Sequence, residues 1–191
     1  MASYQPIFDL ATDWVAGVQV VDLKPHQTRD ALRRLALLPP TTFIVVDESA
    51  DPTLDGLLRE IPPSRLVVRV GERAFDRPGP LPRPLRRFRA RGGRLALDAA
   101  LVSTRQIVRL APCLLYLDPR DTHRIDDQPA TRVGAIAVVA QALQAGALVA
   151  APDIRGRREL AALRGIGVSY GQGPLLADAL PVDSLVGIPA A

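Results

Sequence analysis

Three aspartates stand at the carboxyl ends of segments that the sequence predicts to be β-strands. They are Asp47, Asp98 and Asp118. Because the carboxyl ends of parallel strands meet at one face of a sheet or barrel, we expect these side chains on the same face. Carboxylate oxygens are the ligands that hard divalent cations prefer. The sequence therefore allows a metal-dependent enzyme, although no other feature favours one.

A permanent cation lies among these carboxylates. Arg69 is on the predicted strand between those that end in Asp47 and Asp98. A guanidinium repels a dication, and its planar fork has the geometry to bond two carboxylates. If the chain forms a barrel, we predict that Arg69 bridges Asp47 and Asp98. The alternative is that all three side chains point to solvent.

The other residue types used in catalysis are scarce. His26 and His123 are the only histidines, and neither has a cysteine or second histidine at ligand spacing, so a zinc site is not expected. Cys113 lies in an apolar run and is predicted to be a buried hydrophobe. His123 belongs to a segment that we predict to be a solvated acidic loop, with a weak cation site as the less favoured alternative. Its aspartates are Asp118, Asp121, Asp126 and Asp127.

One stretch is densely basic. It contains Arg83, Arg86, Arg87, Arg89 and Arg91, with Phe88 interleaved. Such a stretch can contact phosphate backbones or an acidic partner. A solvated helix face is the commoner explanation, because arginine is frequent throughout: Lys24 is the only lysine among 24 basic residues.

The composition indicates one globular domain spanning residues 1–191, with 48% hydrophobic and 23% charged residues. No apolar stretch approaches the roughly 18 residues that a membrane span needs, so no membrane association is expected. One cysteine makes disulfides irrelevant, and a cytoplasmic location is the default.

Short apolar runs alternate with helical patterns, which is typical of parallel α/β architecture. The predicted strands are Val15–Val21, Phe43–Asp47, Leu66–Val70, Arg94–Asp98, Leu114–Asp118, Ala147–Ala150 and Val168–Tyr170. The predicted helices are Thr28–Leu38, Thr53–Ile61, Pro84–Arg91, Ser103–Leu110, Ala130–Ala145 and Gly156–Arg164. The opening run Gln5–Leu10 is predicted to form a hairpin with the first of these strands. A closed barrel and an open doubly wound sheet both fit this pattern, and periodicity does not choose between them.

Both ends of the chain carry a family resemblance. The segment from Tyr4 to Leu10, YQPIFDL, and the pair Gln172-Gly173 resemble the opening and closing strands of EAL domains, bacterial phosphodiesterases that linearise cyclic di-GMP. The resemblance implies a shortened TIM-barrel-like βα barrel with an antiparallel N-terminal strand. It covers most of the chain.

The resemblance breaks at the catalytic positions. The glutamate that names the family falls on Gln19, and a second metal-binding glutamate falls on Arg69. Two further carboxylates become Ala99 and Ala151, and the catalytic lysine becomes Tyr116. What the resemblance leaves is a vestigial pocket. Its positions are Gln5, Pro6, Gln19, Asp47, Arg69, Asp98, Tyr116, Asp118 and Gln172.

The resemblance therefore implies a regulatory domain without catalytic residues, bound metal or cofactor, which works by binding a protein. The partner surface is expected at Arg83, Arg86, Arg87, Arg89 and Arg91, or at the flank near Lys24–Arg34, and a homodimer is also expected. A receptor that binds cyclic di-GMP without hydrolysis ranks second, because the phosphate-gripping arginine is replaced by Leu23 and the segment before Phe43 is short. An active metal-dependent phosphodiesterase ranks third.

Overall fold

The computed structural model describes residues 3–21, 33–47, 58–71 and 81–181. The strands are β1 (Ser3–Asp9), β2 (Val15–Val21), β3 (Phe43–Asp47), β4 (Leu66–Val70), β5 (Arg94–Asp98), β6 (Leu114–Tyr116), β7 (Leu148–Ala151), β8 (Tyr170–Gly171) and β9 (Leu180–Pro181). The α-helices are α1 (Arg83–Ala90), α2 (Thr104–Leu110), α3 (Pro119–Thr122), α4 (Pro129–Ala145) and α5 (Arg157–Gly165). Residues 33–36 and 58–60 are also helical. Short 3₁₀ turns occupy Pro63–Arg65 and Ala99–Leu101.

Contacts between residues divide the chain into two compact units. The first contains residues 1–6, 15–95 and 179–191. Its strands β2, β3 and β4 are parallel neighbours, with Val18 opposite Ile44 and Ile44 opposite Leu66. Four of the five residues of β3 and of β4 are buried, which explains why these strands are apolar except at Asp47 and Arg69. Strand β9 pairs antiparallel with the start of β1, with Ser3 opposite Pro181.

Helix α1 and Arg65 complete the packing of the first unit. Leu85 and Phe88 of α1 are each 1% exposed, while most of its arginines face solvent. The Arg65 guanidinium donates hydrogen bonds to the backbone carbonyls of Thr42, at 3.1 Å, and Leu38, at 3.2 Å. Burial lowers the pKa of Arg65 from its ordinary value. Arg65 therefore fixes the turn that leads into β3.

The second unit contains residues 7–14 and 96–178. Strands β5, β6, β7 and β8 are parallel neighbours in that order. The second half of β1 then pairs antiparallel with β8, with Phe8 opposite Gly171. The predicted antiparallel N-terminal strand is thus present. It turns towards β2 through Asp9, whose carboxylate accepts from the backbone amides of Ala11, at 2.8 Å, and Thr12, at 3.1 Å.

The helices of the second unit begin and end where capping groups occur. Ser103 and Gln106 form a capping box at the start of α2, and Glu159 accepts from the Gly156 amide at the start of α5. Helix α4 ends at Gly146, whose φ of 68° is left-handed. These local signals explain why the predicted bounds of α2, α4 and α5 differ from the observed ones by only one residue. The short helix α3 was not predicted.

Three predicted strands differ from the structure. The strand predicted to run through Asp118 ends at Tyr116, because Asp118 caps α3 and Pro119 begins that helix. Strand β7 lies one residue later than predicted, and β8 is Tyr170–Gly171 rather than Val168–Tyr170. The two-residue β9 was not predicted. The first parts of the predicted helices Thr28–Leu38 and Thr53–Ile61 lie outside the described residues.

None of the helices that the structure describes has the length and apolar character that a membrane crossing needs.

Candidate functional site

In the first unit, an amide, a carboxylate and an arginine lie near the carboxyl ends of neighbouring strands. Gln19 is a buried polar residue of β2, 4% exposed. Its Nε2 donates to Asp47 Oδ2 at 3.5 Å, the long limit of a hydrogen bond. Asp47 ends β3 and is opposite Arg69 of β4 in the parallel register. The resemblance assigns all three to the vestigial pocket.

This set of side chains does not fit a divalent cation. A hard cation requires several oxygen donors, whereas Gln19 directs an N–H donor at the carboxylate of Asp47. Arg69, the register neighbour of Asp47, adds a permanent positive charge. Among the described residues, no three His, Cys, Asp or Glu side chains lie together as a metal-binding group.

In the second unit, Asp98, Tyr116 and Ala150 form a row across β5, β6 and β7. Asp98 is half-buried, whereas Tyr116 is fully buried. Tyr116 occupies the position where the resemblance places a catalytic lysine. A phenol enclosed by the core has the character of a packing residue.

Asp118 caps a helix, a role that differs from the acidic-loop position predicted for it. Its Oδ1 accepts a hydrogen bond from the backbone amide of Arg120 at 2.8 Å, which caps α3. The predicted acidic loop is thus partly helical. Burial and the neighbouring Asp118 carboxylate raise the pKa of Asp121 above its ordinary value, and Arg124 acts in the opposite direction.

His123 pairs with Asp153, which the sequence analysis did not single out. His123 Nε2 lies 3.1 Å from Asp153 Oδ2 and 3.0 Å from the Asp153 backbone oxygen. The Arg155 guanidinium donates two hydrogen bonds to the same carboxylate, from Nε at 3.2 Å and from a terminal nitrogen at 2.8 Å. The expectation that His123 belongs with the aspartates of its own segment needs this correction. A Pro-Asp pair after a predicted strand, with an arginine two residues later, was the available signal.

The Gln172-Gly173 motif is held by backbone geometry. The backbone amide of Gln172 donates to the backbone carbonyl of Ala151 at 3.0 Å. The backbone amide of Ile154 donates to the backbone carbonyl of Gln172 at 2.9 Å. Gly173 has a φ of 145°, and a Cβ there would overlap the backbone of Ile154. Packing alone therefore requires this glycine, whether or not a ligand binds.

The nine predicted pocket positions divide between the units. The first unit contains Gln5, Pro6, Gln19, Asp47 and Arg69, and the second contains Asp98, Tyr116, Asp118 and Gln172. Pro6 is buried and Gln5 is half-buried on β1. Within the units, the structure brings Gln19 to Asp47 by a hydrogen bond and pairs Asp98 with Tyr116 by register. The bridge predicted for Arg69 stays a prediction.

The basic stretch is helix α1 with Arg91 after its end. Arg83, Arg86 and Arg87 are exposed, but Phe88 is 1% exposed and unavailable for stacking on a base. Cys113 is half-buried rather than buried. Leu23, Lys24 and His26 lie outside the described residues, as does most of the flank Lys24–Arg34.

Comparison with known proteins identifies the family. The sequence profile of the EAL domain matches residues 26–179. The chain belongs to the EAL family. No curated protein sequence matches it.

Solved EAL structures show the same fold. The EAL enzyme Bd1971, with cAMP and cyclic di-GMP bound, has 15% identity and a TM-score of 0.82, over 97% of this chain and 63% of that one. The PaMucR phosphodiesterase in complex with cyclic di-GMP has 19% identity and a TM-score of 0.82, over 97% and 93%. The Xanthomonas citri FimX EAL domain in complex with cyclic di-GMP has 19% identity and a TM-score of 0.77, over 95% and 88%.

These likenesses confirm the predicted TIM-barrel-like α/β fold of EAL domains and exclude the open doubly wound sheet. The EAL domain described here spans less than two thirds of the Bd1971 chain, 63% of its length.

Proposed function

We propose that this EAL domain is a degenerate, non-hydrolysing regulator that acts by binding another protein. The observation that supports it most is the hydrogen bond from the buried Gln19 amide to Asp47. A family member that hydrolyses cyclic di-GMP is expected to carry a metal-binding glutamate at position 19. Here that position places an amide donor beside the Asp47 carboxylate, where a family member with a metal site would place a second carboxylate.

The other substitutions at the catalytic positions also argue against hydrolysis. Two-metal phosphodiester hydrolysis needs carboxylates that hold the ions on both sides of the scissile bond. The resemblance assigns such roles to positions now occupied by Arg69, Ala99 and Ala151. Asp98 retains a carboxylate, and Asp118 uses its carboxylate to cap α3. These substitutions support the proposal of a signalling role through contacts rather than turnover.

A receptor that binds cyclic di-GMP without hydrolysing it is the second candidate. The neighbours PaMucR and FimX are solved with cyclic di-GMP bound, which favours it. However, Gly173 is required by its contact with the Ile154 backbone. Retention of the Gln172-Gly173 motif therefore gives the receptor little support. An active metal-dependent phosphodiesterase remains the third candidate.

The proposal includes self-association through helix α4. One solvent-facing side of this helix carries large apolar side chains, with Val133 67%, Ile136 47% and Leu143 70% exposed. Its one charged residue, Arg132, lies near the amino terminus, where a cation opposes the helix dipole. In an antiparallel pair of copies, Arg132 would lie beside the carboxyl end of the partner helix. A two-fold pair would therefore bury the apolar face of α4 and place the charge of Arg132 beside the negative end of the partner's helix dipole. A single domain over residues 1–191 and a cytoplasmic location remain part of the proposal.

Calorimetric titration with cyclic di-GMP, in calcium and again in EDTA, tests this function. A parallel assay measures the linear dinucleotide product in magnesium or manganese. Absence of binding heat and of product is the expected result, and partner capture from the host would follow. Binding that survives EDTA would instead favour the receptor. Metal-dependent turnover would overturn the proposal.

A further inference from the structure

Helix α1 presents a strongly basic face to solvent. Arg83, Arg86 and Arg87 are exposed, and Arg89 is half-buried. On the opposite side Leu85 and Phe88 are each 1% exposed. Since these two anchors fix the rotation of the helix, the arginine face is a defined surface of the fold.

This face carries electrostatic repulsion that nothing described in the chain relieves. Arg83 lies three residues from Arg86 and four from Arg87, the spacings at which like charges destabilise a helix. No acidic residue occupies the first turn, and no side chain caps the amino terminus. Arg83 therefore also opposes the helix dipole. Across the described residues, no carboxylate pairs with Arg83, Arg86 or Arg87.

We propose that this face of α1 is the docking site for an acidic helical segment of a partner protein. The inference rests on the proposed function, because it names the surface and the partner chemistry of a protein-binding domain. Carboxylates spaced three and four residues apart match the spacing of the arginines. They would remove the repulsion along α1 and add charge-assisted hydrogen bonds, which are strongest when the guanidinium fork is engaged.

The same geometry disfavours the other anionic partners. Single-stranded nucleic acid is held by bases stacked on aromatic side chains, and the aromatic residue of α1, Phe88, is buried. An interfacial membrane helix inserts apolar side chains between lipids. Leu85 points into the core, and the outward positions of α1 carry arginines, so α1 has nothing to insert.

The test measures binding of a synthetic helical peptide of about 20 residues, with glutamates three and four residues apart, by fluorescence anisotropy. A peptide with glutamine in place of glutamate controls for shape. The variant Arg86→Gln/Arg87→Gln removes charge from the proposed face. The variant Arg157→Gln/Arg158→Gln removes the same charge from exposed positions of α5.

We expect the wild-type protein to bind the glutamate peptide and to lose affinity as salt increases. The α1 variant should lose at least about tenfold, which is the loss of two charge-assisted contacts, and the α5 variant about twofold or less. The free α1 variant should melt at the same temperature or about 1–2 °C higher, because it has fewer like-charge pairs. A merely structural arginine face would instead lower the melting temperature when neutralised.

Equal loss in both variants, or equal binding of the glutamine peptide, would refute the docking site. Tighter binding of single-stranded RNA or of anionic vesicles, lost in the same α1 variant, would replace the acidic segment with that ligand. The turnover assay separates the two proposals. Hydrolysis of cyclic di-GMP would contradict the proposed function. If the protein neither hydrolyses cyclic di-GMP nor binds the peptide, only the docking site is contradicted.

Discussion

Gln19 and Asp47 meet across two neighbouring parallel strands, with Gln19 Nε2 lying 3.5 Å from Asp47 Oδ2. Gln19 is 4% exposed, so the contact is partly shielded from water. A neutral donor beside a carboxylate is compatible with burial, whereas two carboxylates there would repel each other. The local packing is therefore adapted to an amide at position 19.

Restoring the family residue by Gln19→Glu should destabilise the protein. In EDTA we expect a loss of about 2 kcal/mol, because a buried carboxyl replaces the amide donor and faces Asp47. Magnesium or calcium should not recover the loss, since Arg69 lies opposite Asp47 in the register. Urea denaturation in EDTA and in each cation measures both effects.

The exchange variant Gln19→Glu/Asp47→Asn is the matched control. It restores one amide and one carboxylate in reversed positions, so most of the lost stability should return. If cations stabilised the Gln19→Glu variant beyond the wild-type protein, the site would accept a metal after all, and the proposed loss of chemistry would be wrong.

Gly173→Ala should be severely destabilising. The φ of 145° is unfavourable for an L side chain, and the added Cβ would overlap the Ile154 backbone. We expect a loss of more than about 3 kcal/mol, or failure to fold. Thermal denaturation measures it without any ligand present.

Gly134→Ala provides the contrast for this prediction. Gly134 lies within α4, and a Cβ there would meet nothing within 4 Å. Alanine should therefore stabilise the helix by about 0.5–1 kcal/mol. Similar effects at the two glycines would show that Gly173 is not constrained as the structure indicates.

The strands of the first unit were predictable because each is five to seven residues long and mainly apolar. The predicted bounds of β2, β3 and β4 match the structure. The shorter strands were less accurately predicted. Tyr116 ends β6 because the Asp118-Pro119 pair begins a helix, and two-residue strands such as β8 have too few residues for any periodicity.

The candidate site was predictable only where strand register places residues side by side. Asp47 and Arg69 were placed together for that reason. The contact of His123 with Asp153 joins residues 30 positions apart. The Pro152-Asp153 pair with Arg155 marks this loop in the sequence, but no local pattern identifies its histidine partner. The role of Asp118 as a cap was readable from the proline that follows it.

Ionisation of Asp121 should destabilise the folded domain as pH rises, whereas ionisation of most aspartates in folded proteins stabilises it. Burial and the Asp118 carboxylate raise its pKa above the ordinary 3.8, so the folded protein holds this proton more tightly than the unfolded chain. The protonated Asp121 carboxyl therefore contributes to the free energy of unfolding in full below pH 3.8. This contribution is lost as the pH rises through the folded-state pKa. Asp121→Asn should therefore be a few tenths of a kcal/mol more stable than wild type at neutral pH, a small effect because the side chain is largely exposed.

Urea denaturation as a function of pH measures this difference, which should shrink in acid. Asp127→Asn removes the same charge from an exposed residue nearby and is the control. A stabilisation at neutral pH that persists unchanged in acid would contradict the assignment, because it would not follow ionisation of Asp121.

Leu143→Glu should convert the protein from a pair to a monomer. Leu143 is 70% exposed on the apolar face of α4, so a carboxylate there costs little in the monomer but is desolvated without a partner when two copies pack.

Leu37, 74% exposed in the first unit, allows the matched change Leu37→Glu, which should leave the assembly intact. Sedimentation equilibrium distinguishes them. A monomeric wild-type protein, or dissociation by both variants, would refute pairing through α4. Dissociation by Leu143→Glu alone, with the melting temperature of the monomer unchanged, is the result that the exposed face of this helix predicts.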